Sequence, residues 1–288
     1  MLRVGIVAAV VVALSAPAQA DDAARIKQAR AMFDAQVAAM RARDDAAFAK
    51  TLAGDARVAW AIYNTADVPS DAQHDFLLIK RVEVVATQIG WDGTWGWLTA
   101  ELRVRWQMYA EPEGAGDPNP QPVDERVRWV AVIVPDGDVM KTEAALVASA
   151  HPDSKLEPIS RADDARPVAA AGPLARLLEA PSTVHVASDP ATAIFGTAET
   201  EHALGATAAR RQLAAWKRLA LSLVVSPCCA GGPDTVEVVR KDHGFAFGRL
   251  ALKLRGKAEP VELTGFVVAK KVGDDWQVVA LAYSGGRS

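Results

Sequence analysis

Cysteine is almost absent from this chain of 288 residues, which contains only two. They are the adjacent Cys228 and Cys229, so disulfides between distant segments, as in small secreted scaffolds, are excluded. Neighbouring cysteines can bridge only through a strained small ring. Two states therefore stay open: a pair of reduced thiols in a surface turn, or an easily reduced vicinal disulfide.

The sequence also lacks the common signatures of cofactor and metal sites. It has no cluster of His, Cys and Asp with zinc spacing, no glycine-rich phosphate loop and no Gly-x-Ser-x-Gly turn. We therefore predict no metal site and no cofactor. The formal charge is weakly acidic, at −3, which argues against a nucleic-acid partner because such proteins usually present a basic face.

Long apolar runs are missing except near the start. After Arg3 the chain is apolar from Val4 to Leu14, and small residues follow up to Ala20. This pattern is typical of a signal peptide covering residues 1–20, with cleavage after Ala20. The run is shorter than the ~20 apolar residues of a membrane span, and no later run reaches that length. We expect a periplasmic or secreted protein with no span after cleavage.

The rest of the chain reads as two halves that follow the same order. Each half begins with helical periodicity and continues with strands that alternate apolar and polar residues, which predicts an α+β fold. Asp44 is the predicted N-cap of a second helix that stops at Gly54. A segment rich in proline, residues 149–172, predicts a linker between domains at 21–148 and 173–288.

An internal repeat supports the division into halves. Residues 95–105 and 245–255 both begin with two aromatic side chains at alternate positions and keep small or apolar residues at the positions between. A period of two with one apolar side indicates a strand with one face on a core. The strands that follow, 128–134 and 262–268, also correspond and precede similar Gly-Asp turns.

Three passages resemble the NTF2-like superfamily, which includes SnoaL-like and ketosteroid-isomerase-like proteins. Residues 43–58 resemble its helix–helix–strand opening, 194–205 resemble a SnoaL-like strand, turn and helix start, and 261–283 are similar to its last hairpin. The resemblance is clearer in the second half. It implies two cone-shaped domains, each a curved antiparallel sheet packed on N-terminal helices.

Four aromatic residues of the repeat are candidates for an interface. Trp95 and Trp97 share the polar side of their strand with arginines, and exposed aromatics mixed with arginine are typical of interfaces. Because NTF2-like proteins often dimerise through the outer sheet face, we expect the halves to form an internal pseudo-dimer. Trp95 and Trp97 would then meet Phe245 and Phe247. A second interpretation is that these aromatics hold a carbohydrate or another flat ligand.

Candidates for catalysis come from the second half. An isomerase of the ketosteroid type needs a carboxylate base beside an apolar pocket and an acid facing it. Asp242 or His243, at a strand start, and Tyr283, near the end, have suitable chemistry. Each also fits a structural interpretation, as a polar turn or as a strand-end aromatic residue.

The leading functional prediction is an exported, non-enzymatic binding protein that holds a small apolar ligand or a protein partner. One alternative is a SnoaL-like isomerase or hydrolase acting in the pocket of the second domain. Another is an envelope scaffold without a ligand. Fold resemblance alone does not choose among them.

Overall fold

The structure is a computed structural model, and it describes nine ranges of the chain. These are residues 4–61, 68–69, 79–107, 122–150, 172–198, 200–216, 221–223, 235–252 and 261–285. The adjacent cysteines and most of the predicted linker lie outside these ranges.

The described ranges of the first half contain two helices and six strands. They are α1 (Val4–Ala42), α2 (Asp45–Ala49), β1 (Leu52–Ala61), β2 (Val68–Pro69), β3 (Ile79–Asp92), β4 (Trp95–Gln107), β5 (Pro122–Asp136) and β6 (Val139–Ala150). Helix α1 continues across the predicted cleavage point, and cleavage there stays a prediction. Strand β6 includes the first two residues of the predicted linker.

In the second half, the residues that the structure describes form two helices, a short 3-10 turn and seven strands. They are α3 (Pro173–Glu179), the turn (Pro181–Thr183), β7 (Ala193–Phe195), β8 (His202–Leu204), α4 (Ala206–Ala215), β9 (Leu221–Leu223), β10 (Thr235–Val239), β11 (His243–Leu252), β12 (Val261–Val272) and β13 (Asp275–Gly285). In the described ranges, no helix has the length and apolar character that crossing a membrane requires.

The two sheets have the same strand order. Sheet 1 runs β2-β1-β6-β5-β4-β3, and sheet 2 runs β8-β7-β13-β12-β11-β10, with β9 added beside β11. In each, a strand from the start of the half pairs in parallel with the last strand. The predicted α+β class is confirmed, and both sheets are mixed where purely antiparallel ones were expected. The repeated aromatic strands are β4 and β11, which occupy equivalent places.

Helix α2 shows where local chemistry was predictable. The side chain of Asp44 accepts a hydrogen bond from the Ala47 backbone at 2.8 Å, so it is the N-cap as predicted. The predicted stop at Gly54 is wrong, because the helix ends at Ala49 and Gly54 lies inside β1. Glycine marks a helix end only when it follows the last turn, and here strand pairing begins first.

Core 1 lies between α1 and sheet 1. Phe33 of α1 and Phe48 of α2 pack against Trp129 of β5 with ring centroids 5.6 and 5.9 Å apart. Gln36, buried on the same helix, donates to the Thr142 hydroxyl at 2.9 Å. This bond matters because a buried amide without a partner would cost about 1–3 kcal/mol.

Core 2 lies between α3, α4 and sheet 2. Leu178, Trp216 and Tyr283 are buried in it, and the rings of Trp216 and Tyr283 meet edge to face at 5.6 Å. The packing leaves no room at Gly265, where an added Cβ would lie 2.6 Å from Leu250 Cδ1 and 3.2 Å from Tyr283 Cε1. Core 2 is therefore closely packed at this point of β12.

A third core joins the halves. Nineteen buried apolar residues form one cluster between the sheets; most lie on the outer faces of both sheets, and Ala187 and Ala191 lie in the segment before β7. Each sheet has a β-bulge in the pairing of its last two strands. In sheet 1 the bulge residue is Glu143, which has no partner on β5 although Thr142 and Ala144 do. In sheet 2 it is Val279, which has no partner on β12 although Val278 and Ala280 do. A bulge redirects a side chain that regular alternation would place elsewhere. Both bulge residues are buried at the contact between the sheets.

Candidate functional site

The predicted aromatic residues meet at the interface between the sheets. Trp95, Trp97, Phe245 and Phe247 are all buried in the third core. The indole N–H of Trp97 donates across the interface to the Ala191 carbonyl at 3.0 Å. With all four side chains at most 2% exposed, they present no open ring face to a flat ligand from solution.

Two glycines let the tryptophans of the first hairpin lie flat on the sheet. Gly90 faces Trp97 and Gly96 faces Trp91 across the β3–β4 pair. A Cβ at either glycine would overlap the opposite indole ring. Trp91 covers core 1, whereas Trp97 covers the interface, so this hairpin is fitted to both of its faces.

A group of charged side chains, which we call the polar seam, borders the third core. It consists of Glu143 from the bulge in β6, of Arg240 and Asp242 in the turn between β10 and β11, and of His243, the first residue of β11. His243 Nδ1 lies 2.8 Å from Asp242 Oδ1, and its Nε2 lies 3.3 Å from Glu143 Oε2. Arg240 Nε donates to Glu143 Oε1 at 2.9 Å.

The histidine ring is enclosed as well as hydrogen-bonded. It stacks on Trp95 with centroids 4.5 Å apart and planes 17° apart, and its side chain is 8% exposed. A neutral imidazole carries one N–H, so only the doubly protonated ring donates to both carboxylates. Outside the ring, the Thr94 hydroxyl donates to Asp242, and Asp55 lies 3.6 Å from Arg240.

The seam lowers the pKa of both of its carboxyl groups. Burial by itself would raise the pKa of Glu143, but hydrogen bonds from His243 and Arg240 and their charges outweigh it and hold the pKa below 4.5. Burial also opposes ionisation of Asp242, and bonds from Thr94 and His243 keep its pKa below 3.8. The partner Glu143 raises the pKa of Arg240. The seam is therefore a charged network at neutral pH.

This arrangement places the imidazole of His243 between two carboxylates at the interface. The hydroxyl of Thr94 at the seam donates its hydrogen bond to Asp242, and the ring of Trp95 covers the ring of His243. A base that receives a substrate proton needs an open approach within hydrogen-bonding distance. The described geometry instead ties β11 of sheet 2 to β4 and β6 of sheet 1.

The catalytic candidates are not brought together. Tyr283 lies in core 2, where its hydroxyl donates to the Leu178 carbonyl at 2.8 Å, and burial raises the pKa of this phenol well above its ordinary value of 10.0. Asp242 and His243 lie toward the interface, on the other face of sheet 2. Asp242 and His243 therefore lie apart from Tyr283, because the two faces of sheet 2 point to the interface and to core 2.

A buried arginine ties the halves together at another point of the interface. Arg128 of β5, 4% exposed, donates to the carbonyls of Gly196 and Ala198, and its guanidinium lies 5.2 Å from the Phe195 ring centroid. Sheet 2 thus covers the outer face of sheet 1 as far as the row of Arg128.

Beyond that row the same face is open. We call this region the arginine face; its members are Arg81 of β3, Arg103 and Arg105 of β4, and Arg126 of β5. Two adjacent depressions of about 250 and 330 Å³ lie on it and share Arg103 and Asp124 as lining residues. Unlike the interface, this surface is open to solution.

Several of these residues escaped the sequence analysis. Glu143 had one signal, a lone acid within an apolar strand, while Arg128 and Arg103 gave none that separates buried from exposed. Cys228 and Cys229 lie outside the described residues. Within those residues, no group of three or more His, Cys, Asp or Glu side chains is placed to hold a metal ion.

Comparison with known proteins gives matches to solved structures only. No family model matches the chain, and no curated protein sequence matches it. A protein of the NTF2-like family from Streptomyces avermitilis is 11% identical, covers 44% of this chain and 97% of its own, and has a TM-score of 0.35. A ketosteroid isomerase-like protein from Erwinia carotovora atroseptica is 9% identical, with 43% and 94% covered and a TM-score of 0.33.

A third match is an uncharacterised protein with a cystatin-like fold from Caulobacter vibrioides. It is 15% identical, covers 44% of this chain and 91% of its own, and has a TM-score of 0.35. The matched structures include members of the class that the sequence resembles, and each of these three covers less than half of this chain. Neither the identities nor the TM-scores extend to activity, substrate or partner.

Proposed function

We propose that this chain is an exported, non-enzymatic binding protein whose partner is another protein, bound on the sheet surface that the two halves leave uncovered. The observation that carries the proposal is the engagement of every candidate catalytic side chain in the fold. Tyr283 is bonded inside core 2, and His243 is enclosed at the interface on the other side of the sheet. A protein of this kind works through its surface.

The state of core 2 favours a protein partner over a small apolar ligand. Pockets that bury a small ligand have volumes of about 300–1,000 Å³ and apolar walls. At Gly265 the described packing has no space for one methyl group. The open volumes described above lie instead on the outer face of sheet 1, where the lining is charged.

The isomerase or hydrolase alternative requires a carboxylate or imidazole base buried beside the apolar core. The buried polar residues described in the second half are Thr192, Thr197, His243 and Ser284. Of these only His243 has a side chain that could act as such a base, and it faces the interface. The scaffold alternative differs from our proposal only in having no specific partner.

Photo-crosslinking in cells tests the proposal. A benzoylphenylalanine replaces Val85, which is 55% exposed on β3 beside the arginine face, or Val272, which is 46% exposed at the end of β12 and serves as the matched control. We expect an adduct of discrete protein mass from position 85 and none from position 272. A stoichiometric apolar molecule that stays with the purified chain in native mass spectrometry, without any adduct, contradicts the proposal.

Export rests on the first twenty residues alone. The measurement is the N-terminal sequence of the protein recovered from the cell envelope or the medium. We expect it to begin at Asp21. Recovery from the cytoplasm with Met1 in place contradicts the export part and leaves the binding part standing.

A further inference from the structure

A narrow notch lies between the two halves, where sheet 2 stops covering the outer face of sheet 1. Strands β7 and β8 of the second half supply Phe195 and Leu204 to its wall, and strands β3 and β4 of the first half supply Gln88, Thr99 and Glu101. Its volume is about 10 Å³. Because both halves line the notch, whatever it holds contacts both of them.

The lining carries buried polar atoms that have no partner among the described residues. They include Thr99 Oγ1 and Gln88 Oε1, and the whole of Thr99 is only 2% exposed. The two residues lie directly opposite each other on neighbouring strands, so their Cβ atoms are about 4.5–5.5 Å apart. Nearly all buried polar atoms of native proteins are paired, either with protein or with ordered water.

One further hydroxyl of the lining belongs to the other face of the sheet. Thr87 Oγ1 is also buried and unpartnered in the described ranges, but Thr87 lies opposite Ala100, a member of core 1. Successive side chains of a strand point to opposite faces, so the side chain of Thr87 points away from that of Gln88. Thr99 and Gln88 are therefore the polar pair that faces the second half.

The size of the notch restricts its occupant to something as small as water. One water needs about 10–15 Å³, whereas pockets for organic ligands measure about 300–1,000 Å³. The charge of the notch argues against a cation, because the carboxylate of Glu101 is already paired with Arg126 at 2.9 Å. An apolar occupant would leave both polar atoms without a hydrogen bond.

We infer that the notch holds one ordered water that is hydrogen-bonded to Thr99 Oγ1 and to the side-chain amide of Gln88. Buried waters typically use two to four polar partners, and this pair supplies two. Water donates and accepts, so it complements the hydroxyl and either orientation of the amide. The site goes beyond the proposed function and does not depend on it: the water completes the contact between the halves at the end of the covered region.

A crystal structure of the full chain at about 1.5 Å resolution tests the inference directly. We expect density for one water about 2.7–3.2 Å from Thr99 Oγ1 and from the Gln88 amide. A notch without density overturns the inference, as does a direct hydrogen bond between Thr99 and Gln88. Six or more oxygen ligands at about 2.3–2.6 Å would also overturn it, because that coordination identifies a hard cation.

Urea unfolding of Thr99→Val tests the same inference through stability. Valine keeps the branched shape and removes only the hydroxyl, so losing the bond to the water should lower the urea midpoint by about 0.2–0.5 M. Gln88→Met should also lower it, and the double variant should lose less than the sum, because both changes remove bonds to one water. The matched control is Thr264→Val, at a half-buried position of β12 outside the notch, which should follow wild type.

The sign of the change separates a bound water from a hydroxyl that is simply unpaired. Replacing an unpaired buried hydroxyl by an apolar group of the same shape is neutral or stabilising. A midpoint of Thr99→Val equal to or above that of wild type therefore overturns the inference. Strictly additive losses in Thr99→Val and Gln88→Met overturn it too, because the two side chains then do not share a water.

Discussion

The two ends of the outer face of sheet 1 lie on the same strands but differ in their side chains and in their exposure. On β4 and β5 the outward positions carry Trp97 and Val132 at one end, and Arg103 and Arg126 at the other. Sheet 2 covers the first end and leaves the second open. The alternation of the strand decides which side chains face outward, whereas the docking of the second half decides which of them are buried.

The contrast also explains why the aromatic end is not available for binding. A sheet face that is apolar at one end needs a cover, and in many proteins a second chain supplies it. Here the second half of the same chain supplies it, through the equivalent strand β11. The charged end of the face stays exposed in the described residues.

The largest expected effect comes from removing a buried tryptophan of the third core. Trp97→Ala should lower the free energy of unfolding by about 3–5 kcal/mol, because the ring is fully buried and its N–H is bonded to Ala191. Urea unfolding followed by circular dichroism measures it. The matched control is Trp276→Ala, at a half-buried tryptophan on β13, which should lose less than half as much. Equal losses would mean that the interface adds nothing beyond ordinary burial.

Arg128→Gln should have the next largest effect. The shorter amide cannot reach both the Gly196 and Ala198 carbonyls, and losing these charge-assisted bonds in a buried place should cost about 2–3 kcal/mol. The same unfolding experiment checks it. A change in the free energy of unfolding near zero would indicate that water replaces the guanidinium and that the contact of Arg128 with Gly196 and Ala198 is weak.

The polar seam predicts a dependence on pH. The folded-state pKa of Glu143 lies below its ordinary value of 4.5, so its stabilising contribution is present above that pH and is lost as the pH falls through the folded value. Glu143→Gln should therefore cost about 1–2 kcal/mol at neutral pH. Its deficit should shrink as the medium is acidified. Asp55→Asn, at an exposed neighbour 3.6 Å from Arg240, is the control that should follow wild type. A deficit independent of pH would assign the effect to packing.

Much of this fold follows from the sequence, and its interface follows in part. Period-two alternation located long strands such as β4 and β5, and the position of Trp95 and Trp97 on the polar side indicated that something covers them. The parallel pairing of the first and last strands was not predictable, since alternation carries no information about direction.

The polar seam could not be predicted because it depends on a bulge. Regular alternation along β6 gives Glu143 no reason to face the second half, and the extra residue in the pairing redirects it. Arg128 and Arg103 show the same limit differently. They are one residue type on one sheet face, and only the position of β7 makes one buried and the other open.

The smallest expected effect belongs to the exposed end of the outer face of sheet 1, and it contrasts with that of the buried Arg128. Arg103→Gln should change the free energy of unfolding by no more than about 0.5 kcal/mol, because Arg103 is exposed and lies between Arg126 on β5 and Glu83 on β3. The measurement is the urea midpoint at low salt, beside that of Arg128→Gln. A loss as large as that of Arg128→Gln would show that contacts within the chain hold Arg103.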